Sequence, residues 1–473
     1  MTTPPTVDPR SAPQEASRTL ARAVAATHWI QLPGEVRRQA ADLFLDTLAV
    51  IAAGSVHPTY AGWLARQGRE RGECSAIGLA QGVPAASAAL LNGGATTVLQ
   101  WQDGHRLARG HPASHLVPVL LALAERHGAG ADALLSAFVG GYEAGTRIGV
   151  ALGGLRAPLH DGGSWATLGA AAAGARLLGG DAATIANALE SAATLAPLAW
   201  RDTVSRGATV HHLFIGLGAG VALTTAESAC AGLEAIPGSI EAFFGPRAGA
   251  RFEPAQLVAG LGADGCWTAY ELRSAYFKWH PVCAHFSGLA DALAEACDAH
   301  RQETGRAPVH DDVLAAEVAL YATALDYDAP RPASDLAARF SAAAIVYAAL
   351  DPAGLEGDAL ARASCDPAAV AWLARVQVVH DPELDAGYPE GRPARVTLTL
   401  RGGRTRRATA RDVLGDQKRP LSPAQRRDKA MRALGRAGGE RGAARVIAAW
   451  EAYLAGAPIA TLTDALRALA ASR

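Results

Sequence analysis

The sequence has 473 residues, of which 50% are hydrophobic and 19% are charged, and its formal net charge is −1. This composition predicts a large core and about two domains, and the balanced charge excludes a global field that would favour nucleic acid or a membrane surface. We expect no secretory signal and no membrane span, because the start lacks a secretory pattern and no uninterrupted apolar run approaches ~20 residues. Six cysteines without a C-x-x-C pair predict reduced, mostly buried thiols in a cytoplasmic protein.

Helical periodicity begins near Ser17, after a segment (1–16) rich in Pro, Thr and Ser that we expect to be loose. Apolar spacing predicts helices over 35–53 and 84–99. Alanine and glycine are frequent in these helices and the later ones, so helices can approach closely. We therefore expect a compact bundle with several buried helices.

A polar loop leads directly into an apolar helix in the stretch 99–124, LQWQDGHRLARGHPASHLVPVLLALA. Its polar residues are Asp103, His105, Arg106, Arg109, His111 and His115. Pro112 suits a first helical position, where its missing N–H is harmless. A helix N-terminus beside arginines attracts a carboxylate or a phosphate. A solvated loop whose histidines only cap and pack is the alternative interpretation.

Two further loops place histidine next to predicted helix starts. The Gly-rich segment 153–165, with Arg156 and His160, precedes a predicted helix over 165–178 with Ser164 as its N-cap. Asp181 is predicted to cap the next helix, 181–195. The segment 201–212 then ends in His211 and His212, before a helix over 210–233, and at least one of the two is expected to face a polar site.

Alternating patterns after about residue 265 predict strands over 316–322, 376–380, 395–400 and 404–410. Helices are predicted over 286–300 and 335–350, and again from Ser422 to Leu469. We therefore predict a mostly α fold. A helical domain formed by 1–270 and 417–473 would carry an inserted α+β lid, 271–416, with the active site at their junction.

The segment 277–285, FKWHPVCAH, enters the first predicted helix of the lid and carries Lys278, His280, Cys283 and His285. Cys283 has no base at a fixed spacing, so a small buried thiol is the simpler interpretation. The histidines of the chain lack zinc-site spacing, and no nucleotide-binding motif is present, so we expect neither metal nor cofactor. Four loops that combine His with Arg or Lys predict a cationic pocket for a small polycarboxylate, in which histidines transfer protons.

The four loops, in this order, resemble the MmgE/PrpD family, which includes dehydratases, decarboxylases and an epimerase. The resemblance covers nearly the whole chain and rests on these segments: LFLDTLAVIAAGS (43–55), LNGGATTVLQWQDGHRLARGHPASHLVPVLLALAE (91–125), LHDGGSWATLGAAAAGARLLG (159–179), FKWHPVCAHFSGLADAL (277–293) and RFSAAAIVYAAL (339–350). It implies the helical domain with its lid, a homodimer, and catalysis without an organic cofactor.

Several positions depart from the family pattern. The usual D-x-D-D-T-H run stands here as Gln100 to His105, keeping only Asp103 and the histidine. The K-P-L-H run falls on 209–212, so His212 is kept and the lysine is lost. The resemblance matches His111 to the G-H-P histidine and His160 to the histidine of the Gly-rich loop. Lys278 and Cys283 match K-x-x-P-x-C.

We therefore expect a cofactor-free lyase that dehydrates a small di- or tricarboxylate or a related β-hydroxy acid. His111 and His160 form the expected acid/base pair, and Asp103 is expected to orient a histidine, such as His105. The expected substrate-binding residues are Arg106, Arg109, His212, Lys278 and Cys283. An epimerase or isomerase, a decarboxylase, and a non-catalytic carboxylate-binding relative are the alternatives.

Overall fold

The structure is a computed structural model that describes residues 14–471, so most of the predicted loose segment 1–16 lies outside the described residues. It is mostly α-helical, as predicted. Its buried hydrophobic side chains form two clusters. One cluster draws on residues 20–277 and 421–469, and the other on Val204 and residues 282–410. We call 14–270 with 417–471 the helical part and 271–416 the mixed part; the domain boundaries and the lid role remain predictions.

The helical part begins with eleven α-helices, several of them fully buried. They are α1 (Gln14–Ala25), α2 (Gly34–Ser55), α3 (Pro58–Gln67), α4 (Ala85–Ala95), α5 (Pro112–His127), α6 (Ala131–Ala151), α7 (Trp165–Leu177), α8 (Ala182–Leu195), α9 (Asp202–Ser205), α10 (His212–Cys230) and α11 (Gly245–Ala248). Pro112 occupies the first turn of α5, and the carboxylate of Asp181 caps α8 by accepting from the Thr184 N–H, as predicted.

The end of one predicted helix and the cap of another differ from the structure. The helix predicted over 84–99 ends at Ala95, because the hydroxyls of Thr96 and Thr97 donate back to the carbonyls of Gly93 and Gly94 and compete with helix continuation. Ser164 does precede α7, but its hydroxyl donates to the Asp161 carbonyl instead of capping the helix.

The mixed part contains one four-stranded sheet with helices packed around it. Its elements are β4 (Ala275–Tyr276), α12 (Ser287–Thr304), β5 (Val313–Leu320), α13 (Ala322–Leu325), α14 (Asp335–Ala338), α15 (Ala342–Ala349), α16 (Ala359–Cys365), α17 (Pro367–Trp372), β6 (Val376–His380), α18 (Pro382–Asp385), β7 (Ala394–Leu400) and β8 (Thr405–Ala410). The strand order is β6-β5-β7-β8, with β5 and β6 parallel and the other pairs antiparallel. The predicted helix 335–350 is divided in two, because Ser341 caps α15.

The chain returns to the helical part through α19 (Pro423–Leu454), which Ser422 and Gln425 cap reciprocally, and ends with α20 (Ile459–Ala471). Lys429 on α19 lies fully buried, 2.8 Å from the carboxylate of Asp46 on α2. Its ammonium also donates to the carbonyl of Trp101 at 3.1 Å. Helix α19 therefore helps to hold the polar loop before α5.

Two very short antiparallel ribbons bring the polar loops together. Strand β1 (Gly104–His105) pairs with β4, which joins the loop before α5 to the mixed part. Strand β2 (Leu159–His160) pairs with β3 (Ala199–Trp200), which joins the Gly-rich loop to the segment before α10. The second ribbon aligns His160 with Ala199, so that His160 and the 201–212 segment meet.

Short 3-10 helices and a π-helical segment, Ile240–Phe244, complete the connections. By length and composition alone, Thr209–Cys230 is apolar enough to cross a membrane, although half of it is buried here and core helices pass the same test; the bent pair α2–α3 passes only when joined. The six cysteines are unpaired. Cys230, Cys266 and Cys365 are exposed, so the prediction that most thiols are buried is wrong for half of them.

Candidate active site

A cavity of about 300 Å³ lies where the helical and mixed parts meet, and the predicted loops line it. The helical part contributes His105, Arg109, His111, His160, Asp161, Arg201 and His211. The mixed part contributes Tyr276, Cys283, His285, Tyr327, Tyr388 and Arg392. Basic groups therefore outnumber acids around this cavity, and Asp161 is the one carboxylate among its described lining residues.

Three buried cations fix the loop before α5 through its backbone. Arg339 donates to the Leu99 carbonyl at 3.3 Å, Lys278 donates to the Gln100 carbonyl at 2.7 Å, and Lys429 to that of Trp101. Gln100 adopts a left-handed backbone conformation, with φ 53°. Such a conformation costs energy in a residue other than glycine and persists only where its surroundings impose it.

The side chain of Asp103 holds the start of α5. Its carboxylate accepts from the Ala113 N–H at 3.0 Å and from the N–H and hydroxyl of Ser114 at 3.3 and 3.1 Å. These bonds satisfy free donors of the helix N-terminus. Burial raises the pKa of Asp103 to about 7. These hydrogen bonds reach the helix start and none reaches His105, so the expectation that this carboxylate orients His105 is not supported by the contacts of the described residues.

His111 is oriented by the backbone of Asp103 instead. The Nδ1 of His111 lies 2.5 Å from the Asp103 carbonyl oxygen. A carbonyl only accepts, so Nδ1 carries the proton and Nε2 keeps its lone pair. Within the described residues Nε2 forms no hydrogen bond, and the ring lines the cavity. Burial lowers the pKa of His111 to about 4, so this ring is a neutral proton acceptor at neutral pH.

His105 pairs with an acid that the sequence analysis did not identify. Its Nδ1 accepts from the Ala108 N–H at 3.2 Å, and its Nε2 lies 3.2 Å from a carboxylate oxygen of Glu271. The adjacent His105 ring holds the pKa of Glu271 below its usual value. His105 thus lines the cavity but is held by the mixed part.

His160 has the proton arrangement opposite to that of His111. Its Nδ1 accepts from the Gly162 N–H at 3.0 Å, which leaves the proton on Nε2. Asp161 Oδ1 lies 3.5 Å from the same Nδ1, a separation too long to replace the backbone bond. The other oxygen, Oδ2, is buried without a hydrogen-bond partner among the described residues.

His115 holds the two loops in place and does not line the cavity. Its Nδ1 donates to the His111 carbonyl at 2.9 Å, and its Nε2 accepts from the Gly163 N–H at 2.9 Å. Gly163 has φ 82°, and a Cβ there would lie 2.5 Å from the Phe214 carbonyl oxygen, so only glycine fits. Burial lowers the pKa of His115 to about 4, consistent with both nitrogens being engaged.

Of the two adjacent histidines before α10, His211 lines the cavity and His212 does not. His212 Nδ1 lies 3.1 Å from the Thr97 hydroxyl, and its ring packs against Tyr60. The expected substrate-binding role of His212 is therefore not supported by its position. His211 Nε2 lies 3.2 Å from the amide nitrogen of Gln100.

The amide of Gln100 fixes the tautomer of His211. The same nitrogen donates to the Thr97 carbonyl at 2.8 Å, so it is a donor and His211 Nε2 must accept. The proton of His211 therefore lies on Nδ1, which is buried without a partner among the described residues. Burial and the neighbouring histidines hold the pKa of His211 well below its usual value.

Arg106 and Arg109 are adjacent in the loop but have different surroundings. Arg106 is buried and forms a forked ion pair with Asp416, at 2.8 to 3.2 Å, and lies over the Tyr276 ring. Its predicted role in substrate binding is not supported by its position, because its charge is compensated by Asp416 and it does not line the cavity. Arg109 is exposed, lines the cavity, and has no acidic partner among the described residues.

Lys278 and Cys283 lie next to each other at the edge of the site. Lys278 does not line the cavity, and its ammonium donates to the Gln100 carbonyl, so its expected contact with substrate is not supported. Burial lowers the pKa of Lys278 to about 7. Cys283 lines the cavity, and burial raises the pKa of its thiol to about 11, which favours the simpler interpretation of a buried neutral thiol.

The sequence analysis missed Asp161, Arg201, Tyr388 and Arg392 as lining residues. Asp161 follows His160 directly in the Gly-rich loop, and Arg201 opens the segment that ends in His211, so both were adjacent to recognised signals. Arg392 precedes strand β7 in a part of the sequence without a motif. Within the described residues, no three His, Cys, Asp or Glu side chains have an arrangement that could hold a metal ion.

Comparisons with known proteins identify relatives of this chain. The MmgE/PrpD N-terminal domain model matches residues 18–248, and the C-terminal domain model matches residues 280–452. The cis-aconitate decarboxylase-like protein oryM of Aspergillus oryzae is 33% identical over 165 residues, which cover 31% of this chain and 33% of that protein. A cis-aconitate decarboxylase of Aspergillus terreus is 27% identical over 292 residues, which cover 56% of this chain and 58% of that protein.

The chain thus spans between a third and three fifths of the length of these curated relatives. The two domain models together leave only residues 1–17, 249–279 and 453–473 unmatched. By these matches, the chain belongs to the MmgE/PrpD family.

Proposed function

We propose that this protein is a lyase that dehydrates a small di- or tricarboxylate. With His111 and His160, it removes a proton from the carbon next to a carboxylate and releases water from the adjacent carbon. The opposite tautomers of the two rings carry the proposal. His111 offers a lone pair and His160 offers an N–H, and both line one cavity surrounded by arginines. General acid–base catalysis requires one group that accepts a proton and another that donates a hydrogen, as these two rings do.

In the proposed reaction, Nε2 of His111 takes the α-proton, and the C–H electron pair becomes the new C=C bond. The C–O bond to the β-hydroxyl breaks, and its electron pair leaves with the oxygen. His160 donates a hydrogen bond through its Nε2–H to the departing oxygen, and the proton that His111 took is transferred to this oxygen, which leaves as water. Negative charge that develops on the carboxylate is stabilised by the cations around the cavity.

Decarboxylation is the second candidate, and the named relatives favour it. Both curated relatives carry the description of a cis-aconitate decarboxylase or a protein like it. The same histidines would serve this outcome, because loss of carbon dioxide leaves a carbanion that a protonated base must quench. The released product, water or carbon dioxide, therefore separates the two candidates.

The test is incubation of the protein in heavy water with a panel of small hydroxy-acids and unsaturated polycarboxylates, followed by proton NMR and a carbon dioxide assay. A new alkene resonance without carbon dioxide supports dehydration. Carbon dioxide release supports the second candidate. Deuterium exchange with scrambled stereochemistry and no alkene would contradict both candidate reactions and indicate an epimerase.

If no compound of the panel gives a signal although the protein is folded and binds carboxylates, catalysis is contradicted and a non-catalytic carboxylate-binding relative is favoured. The matched variants are His111→Ala, which should abolish any signal, and His127→Ala. His127 lies at the exposed end of the same helix, so its loss controls for non-specific effects on α5.

The proposal includes a cytoplasmic homodimer that binds no nucleic acid. Leu195, Leu198 and Trp200 are about half exposed in one short segment next to β3, which supports association through that surface. Sedimentation of the purified protein tests the dimer. A single monomeric species at micromolar concentration would remove it.

A further inference from the structure

Arg392 is a buried cation without a compensating acid in the part of the chain that the structure describes. Only 4% of the residue is exposed. Its Nη1 donates to the carbonyls of Pro389 and Gly391, at 2.6 and 2.8 Å. Among residues 14–471, no carboxylate lies within ion-pair distance of this guanidinium, and its Nε is buried without any hydrogen-bond partner.

Such an arrangement is costly, because two hydrogen bonds to backbone carbonyls and one ring contact replace only part of the hydration that the buried charge loses. An arginine cannot escape this cost by releasing its proton near neutral pH. The neighbouring Arg106 adds repulsion to the effect of burial, and both lower the pKa of Arg392. An anion from outside the chain would compensate this charge.

The geometry of the guanidinium indicates which anion fits. Since Nη1 is used by two backbone carbonyls, the edge formed by Nε and Nη2 is the part without a partner in the described residues. This edge presents two parallel N–H groups, the fork that binds a carboxylate in bidentate fashion. Arg392 also lines the cavity, so a bound molecule can reach it.

A second arginine approaches the same place from the helical part. The Tyr388 ring has Arg392 Cζ at 4.7 Å from its centroid and Arg109 Cζ at 5.6 Å. Arg109 is exposed and held in a left-handed conformation, φ 55°, at the end of the tight turn that begins at His105. One aromatic ring thus carries two cations from two parts of the chain.

We propose that Arg392 and Arg109 together bind one carboxylate of the substrate beside Tyr388, with Arg392 as the bidentate anchor and Arg109 as its exposed counterpart. This proposal rests on the proposed function and adds to it. It assigns the carboxylate that is remote from the proton-transfer pair to a subsite built from both parts of the chain. A substrate with that second carboxylate is bound better than one with a single carboxylate.

The test uses calorimetric titration of the full chain with tricarballylate, succinate and acetate at fixed ionic strength. Tricarballylate lacks a hydroxyl, so its binding is measured without turnover by dehydration. Arg392→Met should weaken tricarballylate binding about tenfold or more, and Arg392→Lys should restore only part of the affinity. Arg395→Met is the control, because Arg395 lies three residues further along and is paired with Asp381.

A double-variant cycle then tests whether the two arginines share one carboxylate. If they do, Arg109→Met weakens binding less when Arg392 is already replaced, so the combined loss is smaller than the product of the single losses. Independent, fully multiplicative losses would overturn the shared subsite. Equal affinity of wild type and Arg392→Met for tricarballylate would overturn the role of Arg392.

Inorganic phosphate serves as the competing anion in the same titration. Phosphate binding that is tighter than tricarballylate binding and is lost in Arg392→Met would overturn the assignment to a carboxylate. The subsite and the proposed function fail separately. A protein that binds tricarballylate through Arg392 but shows no turnover or exchange in heavy water keeps the subsite and loses the lyase.

Discussion

The loop before α5 has an interior side and a cavity side, and the two differ in how their polar atoms are satisfied. On the interior side, Asp103, Arg106 and His115 find all or most of their partners within the chain. On the cavity side, His111 and His160 each use one nitrogen to fix the ring and leave the other without a partner among the described residues.

This difference separates stability from chemistry within one short segment. A polar group whose bonds are complete contributes to folding, and its loss leaves a buried partner unsatisfied. A polar group that keeps one atom in reserve can act on a bound molecule. Substitutions on the interior side should therefore change the free energy of unfolding, and substitutions on the cavity side should change turnover.

The largest effect is expected for Arg106→Met on the interior side. Removing Arg106 leaves Asp416 buried and unpaired, which should lower the free energy of unfolding by about 3–5 kcal/mol. Denaturant unfolding measures this loss. Arg106→Met/Asp416→Leu should recover part of it, because the orphaned charge is then absent.

Turnover per folded Arg106→Met molecule should stay within a few-fold of wild type. A large fall in turnover with unchanged stability would place Arg106 on the cavity side and contradict the comparison. Arg419→Met is the control for arginine loss near this segment, since Arg419 is largely exposed.

The next effect is expected for His111→Ala on the cavity side. Loss of the proton acceptor should reduce turnover by roughly 10²-fold or more, while the helical circular dichroism and the unfolding midpoint change little. His111 contributes one hydrogen bond to the Asp103 carbonyl, so its structural contribution is modest. Unchanged turnover in a folded His111→Ala protein would rule out its role as the base.

How far the sequence could predict this arrangement follows from the same residues. The helices and the loops that line the cavity could be predicted, because periodicity and proline position are local properties, and the expectation for His111 came from the resemblance of its G-H-P segment to the family. The partners of Arg106 and His105 could not, because Asp416 and Glu271 are remote in sequence and reach the loop only through the fold. The sequence could not decide which of His211 and His212 lines the cavity, because the two adjacent side chains point in different directions and only the fold at the start of α10 fixes those directions.

A smaller and more diagnostic effect concerns pH. As the base, His111 must be unprotonated, and burial lowers its pKa to about 4, so it stays competent well below the ordinary histidine range. The acid limb of the profile of log kcat/KM should therefore lie near pH 4, with no loss of activity through pH 6.5. Circular dichroism at each pH confirms that the protein is folded. Binding of a substrate analogue that does not titrate in this pH range separates the ionisation of the substrate from that of His111. Burial raises the pKa of Asp103 to about 7, so Asp103→Asn is the control, and an acid limb at pH 6–7 that persists in folded Asp103→Asn would contradict a buried neutral His111.

The smallest effect is expected for Gln100, which belongs to both sides of the loop. Its carbonyl is held by Lys278, and its amide keeps the His211 proton on Nδ1. Gln100→Leu removes the amide, so His211 can adopt either tautomer, and kcat should fall by about three- to tenfold, the value of one hydrogen bond. Nitrogen-15 NMR of labelled histidine measures the tautomer directly, and His212→Phe serves as the control because His212 lies behind the cavity wall. If His211 keeps its proton on Nδ1 in Gln100→Leu, a group other than Gln100 sets the tautomer. Gln100 then belongs only to the interior side of the loop.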